Sequence, residues 1–326
     1  MLQSVVTLLL VLSPPVTVIR SLHREAGWRT GVPVKVVHRF GDLTISGSAQ
    51  DKVVVDAVVR ATAGEEKPAN ELAGRIDVTV LYSGDTVFVA ASVADRGALQ
   101  PDESYEIDVE LSVPGNAELL VRNCYGNLAV TGTSAACRLQ NRFGDVEVDR
   151  CRNCEVRNRH GNVKVCRSTG SLLVENDFGD VFLDGVQDRV MVENRYGNVS
   201  GSDMAGVVQL GNRLGSVVVR HSAGSVTVVN HYGDVSAWVD DSALTDLDVV
   251  SEMGQVCLKL NRLFPFRLDG STVQGSIQSS LPVEIAESGQ RRVVCGSLGR
   301  GGAAIRLTGA WADFLIQSES DEDEGR

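Results

Sequence analysis

The side chains able to do chemistry are few and scattered along the chain. Three aspartates, Asp145, Asp180 and Asp234, stand at equivalent places, each directly after a glycine. Paired acids are what glycoside hydrolysis requires. Here the intervening equivalents are Asn162, Asn198 and Ser216, so acids in this column lie two repeats apart. Asp and Asn interchange freely where a side-chain oxygen caps a turn, and that is the role the spacing implies. Cysteine occurs seven times, at 124, 137, 151, 154, 166, 257 and 295, an odd number that leaves at least one thiol unpaired within a chain. Cys151-Arg152-Asn153-Cys154 has the spacing of half a zinc site, with Cys137 or His160 as further ligands. Cys154 falls in an inward-facing column, however, and Cys151 in the opposite turn, so no metal and no cofactor is expected. Cys137 and Cys154 share one column, about 5 Å apart on adjacent strands, and form the candidate disulfide. Buried free thiols packing as small apolar groups are the equal alternative. Arg142, Arg159, Arg195 and Arg213 form a further column, interrupted by Asp177, that reads as a solvated face. No G-x-S-x-G, H-E-x-x-H, P-loop or dinucleotide fingerprint occurs.

The elements that would position these residues are repetitive. Asn-x-aromatic-Gly-Asp/Asn-Val begins at Asn123, Asn141, Asn158, Asn176, Asn194, Asn212 and Asn230. The glycines that follow are 18, 17, 18, 18, 18 and 18 residues apart. Degenerate copies follow at Met253-Gly254-Gln255-Val256 and Gln274-Gly275-Ser276-Ile277, and a lone early copy stands at His38-Arg39-Phe40-Gly41-Asp42-Leu43. Seven and five residues before each glycine, and two after it, the columns are almost wholly Val and Leu, with polar residues between. Period-2 alternation on two short arms per repeat means strands. An 18-residue unit cannot bury its apolar face alone, whereas stacked units can. The fold class is therefore all-β, a parallel β-solenoid (β-helix) of about 18-residue coils, with strands about 4.8 Å apart.

The Asn column is read as a structural ladder at a coil bend, each amide bonding its own turn and the next coil, because buried backbone groups at a bend need partners. The aromatic column Tyr125, Phe143, His160, Phe178, Tyr196, Leu214 and Tyr232 is read as packing rather than sugar stacking.

Flanking segments divide the rest. Residues 30–117 contain longer strands and read as an antiparallel β cap sealing the first coil, with 60–74 a loop. Residues 118–316 are solenoid, and no helix is expected. Residues 1–29 read as a signal or disordered leader. Val5–Leu12 has the length of a signal h-region, although no Lys or Arg precedes it and no A-x-A site follows. Residues 317–326 carry five acids against one arginine and read as a disordered tail. Outside the leader no long uncharged stretch exists, and Pro14-Pro15 interrupts that one, so multi-span membrane insertion is not expected. A net charge of −11 opposes general nucleic-acid binding.

Gly41-Asp42-Leu43-Thr44-Ile45, the long strands to Val113-Pro114-Gly115 and the Asn-x-aromatic-Gly coils resemble the bacterial DUF4097 family of adhesin-like β-strand-repeat proteins. More distantly they resemble the head domain of autotransporter adhesins. The resemblance covers residues 33–316. It implies an extracytoplasmic envelope or surface protein with no established catalytic residues. The expectation is a noncatalytic adhesin-like or protein-interaction scaffold whose partner is an envelope protein or a glycan. The alternative is a glycan-active or glycan-binding β-helix.

Overall fold

A computed structural model describes residues 14–93, 99–239 and 243–318. Twenty-seven strands and one helix occur among them, and the repeats form the expected solenoid. Each regular coil has a strand of seven to ten residues, such as Thr169–Phe178, and a strand of four, such as Val181–Asp184. Equivalent strands of successive coils pair in parallel and in register. Val174 lies beside Val156 and Val192, and Val181 beside Val163 and Val199. The three apolar columns are all buried. Their Val-rich composition suits this arrangement, because β-branched side chains pack well on a pleated surface.

Two bends close each coil. At the first stands the repeat glycine. Gly179 has φ +132°, and a Cβ there would lie 2.1 Å from the Gly161 carbonyl oxygen. Glycine is thus required twice over, by backbone conformation and by close approach of the preceding coil. At the second bend a residue in the left-handed region, such as Arg150, Arg167, Asp203 or His221, precedes a buried one. That buried column is Thr133, Cys151, Ser168, Val186, Met204 and Ser222. Its mixed chemistry hid it from the periodicity.

Both ends depart from sequence order. The early copy is the first coil, not an isolated motif. Val34–Phe40 pairs in parallel with Leu119–Tyr125, and Leu43–Ser48 with Leu128–Thr131. On its outer side Thr86–Val93 and Ser104–Pro114 also pair with it in parallel. Antiparallel strands come only beyond these, Ile76–Ser83 on one wall, Lys52–Ala63 and Val16–Gly27 on the other. The cap is therefore mixed rather than antiparallel throughout. Val16–Gly27 also corrects the leader. Within residues 1–29 this stretch is a strand whose Leu22 is buried, paired along its length with Lys52–Ala63. Residues 1–13, which hold most of the signal-like segment, lie outside the described residues.

The segment expected to be a loop and free of helix contains a helix, Glu66–Arg75. Pro68 suggested irregular chain, yet proline is tolerated in a first helical turn, where its missing N–H is not needed. Ala69, Leu72 and Ala73 face inward and pack the helix against the strands Lys52–Ala63 and Val16–Gly27.

At the other end Leu244–Leu260 forms the next coil without a break in the strand. Ala303–Ser318 stacks on it in parallel, and only then come Phe266–Val273 and Ile277–Ser279. The last described strand is thus wedged between two coils that precede it in sequence. Its Asp313 accepts from the Ser276 backbone N–H at 2.6 Å and the Ser276 hydroxyl at 2.7 Å. Those two hydrogen bonds hold the Asp313 carboxyl below the usual range. The hairpin of Glu284–Ser288 and Arg291–Leu298 covers the outer edge.

Candidate functional site

Two side-chain ladders run along the first bend. All seven asparagines, Asn123 to Asn230, are buried in shared register. In five of them the printed amide geometry joins Nδ2 to the carbonyl oxygen of the glycine three residues on, at 2.8–3.1 Å in Asn123, Asn141, Asn158, Asn176 and Asn230. Amide-to-amide bonds are fewer. Asn123 donates to Asn141 at 3.0 Å, Asn176 to Asn194 at 3.2 Å and Asn194 to Asn212 at 3.3 Å. Asn158 Oδ1, Asn176 Oδ1, Asn212 Nδ2 and Asn230 Oδ1 have no partner among the described residues. The buried column therefore bonds chiefly to its own turns.

The exposed column bonds between coils without a gap over much of the rod. Asp42 Oδ1 accepts from Asn127 N–H at 2.8 Å, Asn127 Oδ1 from Asp145 N–H at 2.9 Å, and Asp145 Oδ1 from Asn162 N–H at 2.7 Å. The series continues through Asn162, Asp180 and Asn198 to Ser216. Only the side-chain oxygen is used, which is why Asp and Asn alternate. Asp145, Asp180 and Asp234 are each occupied in this way.

Beside these ladders the aromatic rings stack face to face. From Phe40 through Tyr125, Phe143, His160 and Phe178 to Tyr196, centroids are 4.8–5.1 Å apart and planes within 10°. A sugar needs a free ring face. Inside this stack each face is covered by its neighbour, and the exposed surface is edge.

Sequence reasoning misplaced Cys151. It is buried at the second bend, and its thiol meets that of Cys137, which also faces Cys154 across paired strands. All seven cysteines are free thiols. The Cys151 contact draws the Cys137 pKa down, but the Cys154 contact and burial outweigh it and push it up to about 12. Contact with Cys137, with burial, raises Cys151 too. These are inert, protonated groups rather than nucleophiles. Among the described residues no group of three or more His, Cys, Asp or Glu is placed to hold a metal ion.

Two surface depressions bear on catalysis. One lies over Gly211, between Met191, Gln209 and Val229, where the missing side chain leaves a dip. Its single carboxylate is Glu193. The other was invisible to spacing. Strand wedging brings Asp246 and Asp248 near Asp269, with Arg306 paired in register between Asp248 and Asp269. Arg306 lies 3.7 Å from Asp248, and Arg267 3.3 Å from Asp269. Interleaved guanidinium groups keep these carboxylates ionised, which does not suit a general acid.

The four arginines of the sequence column point outward. Arg195 lies 3.8 Å from Asp177, the pairing expected of a solvated face, and Arg142 lies over the Phe143 ring.

No family model matches the chain, and no curated protein matches it. Three solved structures are similar over 92% of the chain. One is of a candidate cell adhesion protein from Clostridium sporogenes, with 9% identity, TM-score 0.22 and all of that chain covered. Another is of a candidate adhesin from Bacteroides fragilis, with 12% identity, TM-score 0.29 and 97% of that chain covered. A third is of a candidate adhesin from Parabacteroides merdae, with 8% identity, TM-score 0.24 and 97% of that chain covered. Likeness at this level carries no argument about what the chain binds.

Proposed function

We propose that this chain is a noncatalytic β-solenoid of the cell envelope or surface, acting as an adhesin-like or protein-interaction scaffold. The observation that carries the reading is the engagement of the repeat carboxylates. Each occupied aspartate of the exposed column accepts a backbone N–H of the next coil, and the coils from Leu119 to Tyr232 stack in register with no inserted loop to wall a cleft. General acid–base chemistry needs a positioned proton donor and acceptor around one substrate. A regular exterior offers instead a long surface of repeated side chains, the property solenoids use for binding. No helix among the described residues is long and apolar enough to cross a membrane.

Capture of envelope proteins by the immobilised full chain, beside a screen of the chain against a polysaccharide panel, tests this. Specific capture without turnover is the expected result. Turnover abolished by substituting Asp248 or Asp269 would establish the glycan-active alternative.

A further inference from the structure

The outer face of one wall carries a charge opposite to that of the whole protein. Side chains alternate in and out along Val34–Phe40, Leu119–Tyr125, Cys137–Phe143 and Arg152–His160, four neighbouring parallel strands. Lys35, Arg39, Arg122, Arg142 and Arg159 project outward from them, and no carboxylate among the described residues lies within ion-pair distance of any of the five. Arg138 and Arg157 share the face and pair with Glu155 at 2.8 and 3.1 Å. Glu155 is the one acid within the patch. Glu118 lies at its margin, near Arg138, and Asp177 and Glu175 end the patch on the next coil. Four strands at the ordinary spacing make it about 14 Å long along the rod axis.

Its floor is mixed. Leu120 and Gln140 line a shallow depression between Lys35, Arg122 and Arg138. An apolar floor with an amide and a cationic rim suits a ring with one apolar face and an anionic substituent.

The opposite wall shows why the anion must come from outside. Glu106, Asp108, Glu147 and Asp149 stand there, but each has a cation of its own. Arg60 serves Glu106 and Asp108, Lys164 serves Glu147, and Arg167 and Arg150 serve Asp149. The surplus cations have no such partners, although acids outnumber bases in the chain by 42 to 31.

We infer that this face binds an acidic polysaccharide, a chain of uronic-acid type laid along the rod axis with its carboxylates on Arg122, Arg142 and Arg159. Guanidinium groups hold carboxylates in bidentate geometry, and successive strands present them at a regular step. Single-stranded nucleic acid fits less well, since its binding sites offer free aromatic faces for bases and the adjacent rings are stacked shut. The inference names the ligand class for the scaffold proposed above and rests on that reading.

Affinity electrophoresis of the full chain through gels containing polygalacturonate, neutral dextran or a single-stranded oligonucleotide tests it. Retardation is expected in polygalacturonate alone, weakening as salt is raised. The combined Arg122→Ser, Arg142→Ser and Arg159→Ser variant should lose at least about ten-fold in affinity, or ~1.4 kcal/mol. None of these side chains makes an ion pair, so its unfolding midpoint should match wild type. Arg195→Ser with Arg213→Ser, on distal coils, should leave retardation unchanged and controls for net charge. Equal retardation of the triple variant and wild type, equal retardation in dextran, or stronger retardation by the oligonucleotide overturns the inference. So does salt-sensitive self-association, without polysaccharide, that the triple variant loses, since it would assign the face to a second copy. A chain that ignores polygalacturonate but captures an envelope protein defeats this inference alone. One that cleaves polygalacturonate defeats the scaffold reading.

Discussion

Replacing Asn176 by alanine removes a buried amide that donates to two acceptors, the Gly179 carbonyl at 3.1 Å and Asn194 Oδ1 at 3.2 Å. Each acceptor left dry and unpaired costs about 1–3 kcal/mol. The Oδ1 lost with it already lacks a partner, so its removal relieves part of that burden. A net loss of about 2–4 kcal/mol follows. Asn158 is the internal comparison. It makes one such bond, to the Gly161 carbonyl at 3.0 Å, and its Oδ1 is likewise unpartnered. Asn158→Ala should therefore cost about 1–2 kcal/mol. Equilibrium urea denaturation reads both, with the Asn176→Ala midpoint lowest, Asn158→Ala between, and wild type highest. Midpoints equal to wild type would refute the claim that these amides work as buried turn caps. The reverse order would refute the assignment of the coil-to-coil bonds.

Three further outcomes are expected. Gly179→Ala forces a left-handed backbone and a Cβ 2.1 Å from the Gly161 carbonyl oxygen, a cost above the ~1–3 kcal/mol of strain alone; Gly74→Ala, in the helix with nothing within 4 Å, should stabilise by about 0.5–1 kcal/mol by thermal melting. Asp180→Asn should leave the urea midpoint within about 0.5 kcal/mol of wild type, because the bond to the Asn198 N–H uses only Oδ1, whereas Asp180→Ala should cost about 1 kcal/mol. Cys137, raised to about 12 when folded, binds its proton more tightly than an ordinary thiol of model value 9.0. Its contribution is complete below that ordinary value and is lost as pH rises toward the folded one, at up to about 1.4 kcal/mol per pH unit. Urea midpoints of wild type and Cys137→Ala should accordingly converge as pH rises from 9 to 11, and constant separation would count against a buried thiol.

The regular coils were legible because a column of Val or Leu at a fixed offset from glycine can only be buried if the coils stack. The Asp/Asn column was legible as turn capping for a similar reason, since a role served by one oxygen tolerates either residue. Its bonding from coil to coil, more continuous than that of the buried asparagines, was not. Which of two amide partners a side chain takes depends on tenths of an ångström between strands. Cys151 escaped because the column it occupies has no single chemistry.

Local pattern thus determined the period, the inward and outward faces and the turn residues, each set by bonds and contacts within about one coil. Tertiary structure decided what lies beside what at the ends. The first coil's neighbours come from residues 86–114 and the last strand slips between earlier coils, because parallel edges must be covered by whichever strand the chain can return. It also decided the charge of each wall. Arg122, Arg142 and Arg159 are unremarkable in sequence, 20 and 17 residues apart, and become one cationic face only when stacking brings successive strands to about 4.8 Å.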